Sequence, residues 1–426
     1  VAGDERTART VTEGRELQAF VLELGRSLSY CRAPVNEIQE RLTAVAAANG
    51  VPGARVIALP TALIVSMGRA EPALIEEIPQ VYGMWQLDQV SALYALIDRS
   101  ERGEISPASG LTALDEIGAM PPRNGRIASV LTYAVLTAAL CLILQPTPRD
   151  TLVATMLGLI VGTLLLVARG RPTLTILVPI VSATLVSALT FTAVKHGAAD
   201  PGLRTLIAPL VIFLPGTLLT TATVELASGE MVAGSSRLVF GTVQLLLLGF
   251  GIVAGAELVG LPRETAINDV PVNQFGWWAS WIGVLLFGIA VSSFLSAPRG
   301  ALKWLLLVLF VAWTGQVLGN ELFGGVVSGF VGALAATPLA LAIAKVPGGP
   351  PSQVTFLPAF WLLVPGALGL LGVTTVLANP AAAGLEDLIG PLGSIIAIAL
   401  GVLCGVTLFR SVAGAPEELR RRRSRQ

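Results

Sequence analysis

From residue 127 to residue 410 the chain is a succession of long, nearly uncharged apolar segments, and this feature sets the class of fold. Ten segments are read, at about 127–145, 151–168, 173–194, 204–226, 236–259, 277–296, 301–318, 322–344, 354–378 and 388–410. With a helical rise of 1.5 Å per residue, each can cross a hydrocarbon core of about 30 Å. In lipid every backbone N–H and C=O has to be satisfied inside the protein, and a bundle of helices does that segment by segment.

Charge divides the chain the same way. Residues 1–126 hold 16 of the 28 acidic and 12 of the 28 basic side chains, although they are less than a third of the length. The reading is a soluble module followed by a polytopic membrane domain. The formal net charge is zero, so nothing points to nucleic acid. Cys31, Cys141 and Cys404 have no metal-ligand spacing, and two fall inside apolar segments, so neither a metal centre nor a disulfide framework is expected. The opening "VAGDERTARTVTEGRE" lacks the short apolar core of a signal peptide, which argues for a cytoplasmic N-terminus. With the N-terminus inside, the inner loops take Arg169, Arg171, Arg237, Arg299, Lys303 and Lys345, with Arg123, Arg126 and the tail "RRRRSRQ". The outer loops take Arg149, Lys195, Arg204 and Arg263, which agrees with the positive-inside rule and puts both termini in the cytoplasm. Trp277, Trp278 and Trp281 suit an interfacial aromatic belt.

A shift of 150 residues lays the membrane domain on itself without a gap. Segment one meets segment six, and Pro215-Gly216 of segment four meets Pro365-Gly366 of segment nine. Gly234, Gly251 and Gly255 meet Gly384, Gly401 and Gly405. Five segments is an odd number, so the second copy enters the membrane from the other side, an inverted repeat of the kind secondary transporters use. Proline removes a backbone donor and crowds the preceding turn, and glycine adds freedom. Broken helices at corresponding midplane positions of two inverted halves point to a substrate site; the plainer alternative is a pair of packing kinks.

The residues after the first break supply the chemistry. Thr217, Thr221 and Glu225 recur at i, i+4 and i+8 on one helix face, with Thr220 beside them. The hydroxyls could contact substrate or satisfy kink carbonyls. Glu225, about 15 Å along the helix from Pro215, could take up a coupling proton, pair with Arg237 or mark the inner helix end. Gln316, Asn320 and Glu321 read as a cap at an outer helix end rather than ligands, Gln244 and Asn379 as hydrogen-bonding glue between helices, and Glu257 and His196 as surface residues.

The soluble module reads as two amphipathic helices, "ELQAFVLELGRSLSYC" and "APVNEIQERLTAVAAANG", then two short strands split near Pro60, then helical patterns from Pro72 to Met120. Ser27, Ser29 and Cys31 have no histidine partner there, and no phosphate-binding loop appears, so no enzyme is expected and no cofactor.

Together "FVLELGRSLSYCRAPVNEIQERLTAVAAANGV", "PTALIVS", the "LDEI" of Leu114 to Ile117 and "PGTLLTTATVELASGEMVAGSSRL" resemble the bacterial threonine/serine exporter family over nearly the whole chain. Some members of that family are split into two polypeptides, one like residues 16–260 and one like 276–410. Gly229, Gly234 and Arg237 also fit its motif, and Glu225 stands at its acidic position. The resemblance implies export of threonine and serine driven by the proton motive force across a bacterial inner membrane. Split members are linked to dicarboxylate, especially succinate, efflux.

The expectation is therefore ten transmembrane helices as two inverted five-helix repeats, preceded by a small α+β cytoplasmic domain. The parts are a polar tail at 1–15, the α+β domain at 16–122, repeats at 123–260 and 276–410, and a basic tail at 411–426. Substrate would meet Pro215, Gly216, Thr217, Thr220, Thr221, Pro365 and Gly366, with Glu225 and Arg237 in proton coupling. The partners are the small metabolite, protons and the bilayer, with a homo-oligomer left open. The rivals are a succinate exporter, an ion channel, and a membrane-anchored sensor in which the soluble module is the working part.

Overall fold

The computed structural model describes residues 2–68, 73–78, 85–144, 147–200, 204–260, 274–363, 365–378 and 386–423. The positions of Arg263, Glu264, Asn379 and Gly384 lie outside the described residues. The chain divides into two compact units, Val1–Arg123 with Glu225–Arg237, and Asn124–Val224 with Leu238–Gln426.

The first unit holds α1 (Ala2–Tyr30), α2 (Val35–Ala48), β1 (Arg55–Leu59), β2 (Ala62–Ser66), β3 (Leu74–Glu77), α3 (Leu87–Glu101) and α4 (Pro107–Gly118). Helix α2 follows from its pattern: Val35, Ile38, Leu42, Val45 and Ala46 are buried at helical spacing. Pro34 enters it with φ −60°, and Gly50 leaves it in the left-handed region at φ +87°. Phe20, Leu24, Leu28, Leu42, Leu63, Leu93 and Ile97 fill the core, each contributing about 1.5–3 kcal/mol relative to an exposed side chain. Strands β1 and β2 pair antiparallel from Arg55↔Ser66 to Leu59↔Ala62. Val56, Ala58, Leu63 and Val65 turn inward by strand alternation while Ile57 faces out.

Two expectations change here. Leu74–Glu77 is a third strand, antiparallel to β2, where a helical pattern was expected. A two-stranded hairpin is marginal alone, and the open edge of β2 takes up the segment, overriding its weak helical period. The stretch expected as a polar tail is helical, α1 starting at Ala2 rather than near Glu16.

The second unit holds α5 (Arg126–Ile143), α6 (Pro148–Ala168), α7 (Pro172–Lys195), α8 (Arg204–Leu210) with a 3-10 turn Val211–Phe213, α9 (Gly216–Ala227) as far as Val224, and α10 (Met231–Val259) from Leu238. Then follow α11 (Trp278–Phe294), α12 (Ala301–Phe323), α13 (Gly325–Ala344), α14 (Ser352–Leu363), α15 (Pro365–Ala378) and α16 (Glu386–Arg423), the last running through the expected basic tail. Among the described residues seven helices are long and apolar enough to cross a membrane, and the bent pair 205–213 and 216–227 makes an eighth span. The segments expected as spans six and nine form shorter apolar helices, α11 and the α14–α15 pair. Ile127, Leu131, Leu152, Val181, Phe250 and Leu400 point outward, as lipid-facing side chains do. Trp277 and Trp278 are exposed, whereas Trp281 stacks on Phe310 with ring centroids 6.2 Å apart.

The packing repeats along with the sequence. Helix α5 packs on α6 and α8 as α11 packs on α12 and α14; α6 packs on α7 and α8 as α12 packs on α13 and α14. Two pairs of glycines 150 residues apart meet equivalent neighbours. A Cβ on Gly251 would stand 2.8 Å from Ala183 Cβ and 3.0 Å from Ile180 O, and one on Gly401 2.9 Å from Ala333 Cβ and 2.5 Å from Phe330 O. Gly255 meets Ser187 and Gly405 meets Thr337, again 150 residues on. Close backbone approach at small residues is how membrane helices associate.

Candidate functional site

Pro215 breaks the fourth span as a proline should. Helix α8 tightens into a 3-10 turn, Leu214 is extended (φ −69°, ψ 126°), and α9 restarts at Gly216. The two pieces are bent by 60°. The buried hydroxyl of Tyr133 on α5 donates to the carbonyl of Pro209 at 2.8 Å. That satisfies a carbonyl just upstream of the break, and it was missed in the sequence, although a lone tyrosine within an apolar segment was visible. The second expected break, at Pro365-Gly366, falls beside Val364, which lies outside the described residues; helix is described up to Leu363 and again from Pro365. The first turn of α9, which restarts at Gly216, has N–H groups without intrahelical partners.

The hydroxyls beside the first break divide. Thr220 is fully buried and donates to Gly216 O at 2.9 Å, the carbonyl-satisfying role. Thr217 and Thr221 are half-buried and share α9 with Glu225.

Glu225 and Arg237 come together in the first unit. Arg237 Nε lies 3.1 Å from Glu225 Oε2, with the two side chains 10% and 0% exposed, a charge contact rather than an aligned hydrogen bond. The other carboxylate oxygen, Glu225 Oε1, accepts from the backbone N–H of Val35 at 3.0 Å. Arg237 Nη2 donates to Ala33 O at 3.4 Å, and Gln39 Nε2 donates to Glu230 Oε1 at 3.0 Å. Pro34 offers no capping side chain to α2. Glu225, 190 residues away in sequence, supplies that cap, and a carboxylate suits the positive end of a helix. The segment Glu225–Arg237 is thereby built into the α+β module. The sequence showed the pair but not this dock, because Ala33 and Val35 take part through backbone atoms.

Other residues fall as follows. Gln316 Oε1 is buried without a partner, whereas Asn320 and Glu321 are exposed. His196 is exposed with Nδ1 2.8 Å from Thr192 O. In the module, burial and then the Glu37 carboxylate push the Cys31 thiol well above its ordinary range, so it stays protonated, and Ser29 is bonded to Gly25 O at 2.9 Å. Among the described residues no group of histidine, cysteine, aspartate and glutamate is placed to hold a metal ion.

The family model "ThrE: Putative threonine/serine exporter" matches residues 19–259. "Pheromone-regulated membrane protein 10" of Saccharomyces cerevisiae (strain YJM789) is 26% identical over 324 residues, covering 70% of this chain and 39% of the yeast protein. The protein of the same name from Zygosaccharomyces rouxii is 25% identical over 303 residues, 64% of this chain and 28% of its own length. The chain thus spans well under half of these two relatives. In strain S288c the corresponding protein is 26% identical over 281 residues, 60% of this chain and 67% of its own. No solved structure matches. With more than half of its residues matched by that family model and its helices long and apolar enough to span a bilayer, the chain is a membrane protein of the threonine/serine exporter family.

Proposed function

We propose that the protein is a secondary active transporter that exports threonine and serine from the cytoplasm, driven by the proton motive force. Its setting in this reading is a bacterial inner membrane, with both termini cytoplasmic. The membrane body acts as two inverted halves, and substrate binds near the midplane between the breaks of spans four and nine.

The observation behind this reading is the broken fourth span, bent by 60° and restarting at Gly216, in a body where the glycine contacts of Gly251 and Gly255 recur 150 residues on at Gly401 and Gly405. Inverted repeats with discontinuous helices favour alternating access. The contact between α5 and α11 adds support: Gly283 sits against Ile143 and Ala139, an element packed on its own counterpart, as a two-fold relation requires. The first turns of α9 and α15, at Pro215-Gly216 and Pro365-Gly366, offer N–H groups to a carboxylate. Thr217 and Thr221 offer oxygen to an ammonium or a substrate hydroxyl, while Thr220 supports the kink by donating to Gly216 O.

Glu225 and Arg237 form the coupling pair in this proposal. A proton taken up by Glu225 cancels the charge that holds Arg237 and the start of α2 together, so one protonation loosens two contacts of the module. A succinate dianion is served less well, since the Arg237 guanidinium is already paired with Glu225. A sensor would need neither the second break nor its register with the first.

The test uses proteoliposomes loaded with labelled threonine or succinate under an imposed proton gradient. Gradient-dependent threonine efflux is expected, with Glu225→Gln losing the gradient dependence but retaining threonine–threonine exchange. Efflux of succinate alone reassigns the substrate. Wild-type export by Glu225→Gln across a pH series removes the coupling role.

A further inference from the structure

Buried polar atoms without a partner are uncommon in folded proteins and destabilising, so each one asks what satisfies it. In the membrane helices they include Trp313 Nε1 and Gln316 Oε1. These two differ from single buried hydroxyls in being one turn apart on α12, hence on one face. They are also complementary, an indole N–H that can only donate and an amide oxygen that accepts.

Their position is fixed by Gly332 on α13. A Cβ there would lie 2.8 Å from Ala312 O, 3.4 Å from Gln316 Cβ and 2.7 Å from Leu363 Cδ2. Gln316 and Leu363 of α14 therefore both lie against Gly332. The corresponding residues of the first half, 150 positions earlier, are Thr163 and Leu166. Thr163 is exposed and bonds Leu159 O at 2.8 Å, and Leu166 has no polar side-chain atom. A polar pair required by the repeated scaffold would occur in both halves; this one occurs only in the second.

We infer that Trp313 and Gln316 form a recognition element for a zwitterionic amino acid on the α12 face that packs against Gly332, the indole N–H meeting the carboxylate and the Gln316 carbonyl the ammonium. This rests on the exporter reading and deepens it. It also gives a ground for discrimination, because a dicarboxylate has no ammonium to offer the amide oxygen.

The experiment compares wild type, Gln316→Met, Trp313→Phe and Thr163→Val in threonine-loaded proteoliposomes, together with thermal unfolding in detergent with and without threonine. A lost hydrogen bond to a charged group predicts a rise in KM of about tenfold or more for the first two. Thr163→Val is expected to keep the wild-type KM. Without threonine, Gln316→Met is expected to melt at or above the wild-type temperature, since it removes an unsatisfied polar atom, while losing the stabilisation that threonine gives. Wild-type flux with unchanged KM in both α12 variants overturns this inference alone, as does a lower melting temperature of Gln316→Met without a change in KM. Should Gln316→Met fail to fold, Trp313→Phe decides by the same KM criterion. No threonine flux from wild type overturns the exporter reading first, and this inference with it.

Discussion

The two halves of the membrane body agree where helices touch and disagree where polar side chains sit. Gly251 and Gly401 rest on Ala183 and Ala333, and Gly255 and Gly405 on Ser187 and Thr337. Yet Glu225 and Arg237 of the first half correspond to Thr375 and Asp387 in the second, and Trp313 and Gln316 of the second to Thr163 and Leu166 in the first. At the two glycine pairs close approach of backbones leaves no room for a larger side chain in either copy. Polar groups are not required twice. The difference separates what makes a bundle from what makes an asymmetric one, with a buried ion pair in one copy and an unsatisfied donor–acceptor pair in the other.

The sharpest way to break the comparison is to remove charge from the first half and polarity from its counterpart. Removing one partner of a buried ion pair leaves the other uncompensated, a loss of about 3–5 kcal/mol. Arg237→Ala should destabilise by that order, because it strands Glu225, whose side chain is 0% exposed. Glu225→Gln should be milder, since an amide oxygen can still accept from Val35 N. Thr375 bonds the Leu371 carbonyl of its own helix, so Thr375→Ala should cost about 1 kcal/mol or less. Thermal unfolding of the full chain in detergent measures all three. Equal losses in the two halves would mean that the charge pair holds nothing its counterpart does not.

A smaller effect tests where the halves agree. Gly255→Ala places a Cβ 2.5 Å from Thr184 O, and Gly401→Ala places one 2.5 Å from Phe330 O. Backbone cannot step aside as a flexible side chain can, so both should lose about 1–3 kcal/mol by overpacking. Gly14, in α1 with nothing within 4 Å of a Cβ, is the control. Gly14→Ala should gain about 0.5–1 kcal/mol from helix propensity alone. A loss confined to one half, read from melting temperatures, would show that the shared glycine spacing is not shared packing.

Much of this arrangement was legible in the sequence. Apolar length marked the spans, Pro215 marked where a helix breaks and restarts, and the 150-residue spacing of Gly251 and Gly401 fell on equivalent contacts. These are signals that one side chain, or the lack of one, imposes on its own backbone. What was not legible depends on partners far along the chain. Nothing in "PVNEIQE" says that the Val35 N–H will be capped by residue 225, since every residue but proline has that donor. β3 was hidden for the same reason: Leu74–Glu77 is a strand because β2 has an edge to fill. Gln316 was read with Asn320 and Glu321 as a surface cap because one-dimensional spacing does not reveal Gly332 and Leu363 closing over it.

The smallest expected effect separates the threonines that follow the first break. Thr220 is fully buried and already bonded to Gly216 O at 2.9 Å. Thr220→Val keeps the shape and removes that bond, so it should lower stability by about 0.5–1.5 kcal/mol and move the KM for threonine little. Thr217 and Thr221 are half-buried on the same helix. Their valine variants should leave the melting temperature within about 0.5 kcal/mol of wild type and raise KM if their hydroxyls meet substrate. Efflux kinetics and unfolding on the same preparations decide between the two roles. A Thr220→Val variant that changes KM but not stability would exchange the assignments, making the buried hydroxyl the ligand and its neighbours the kink's support.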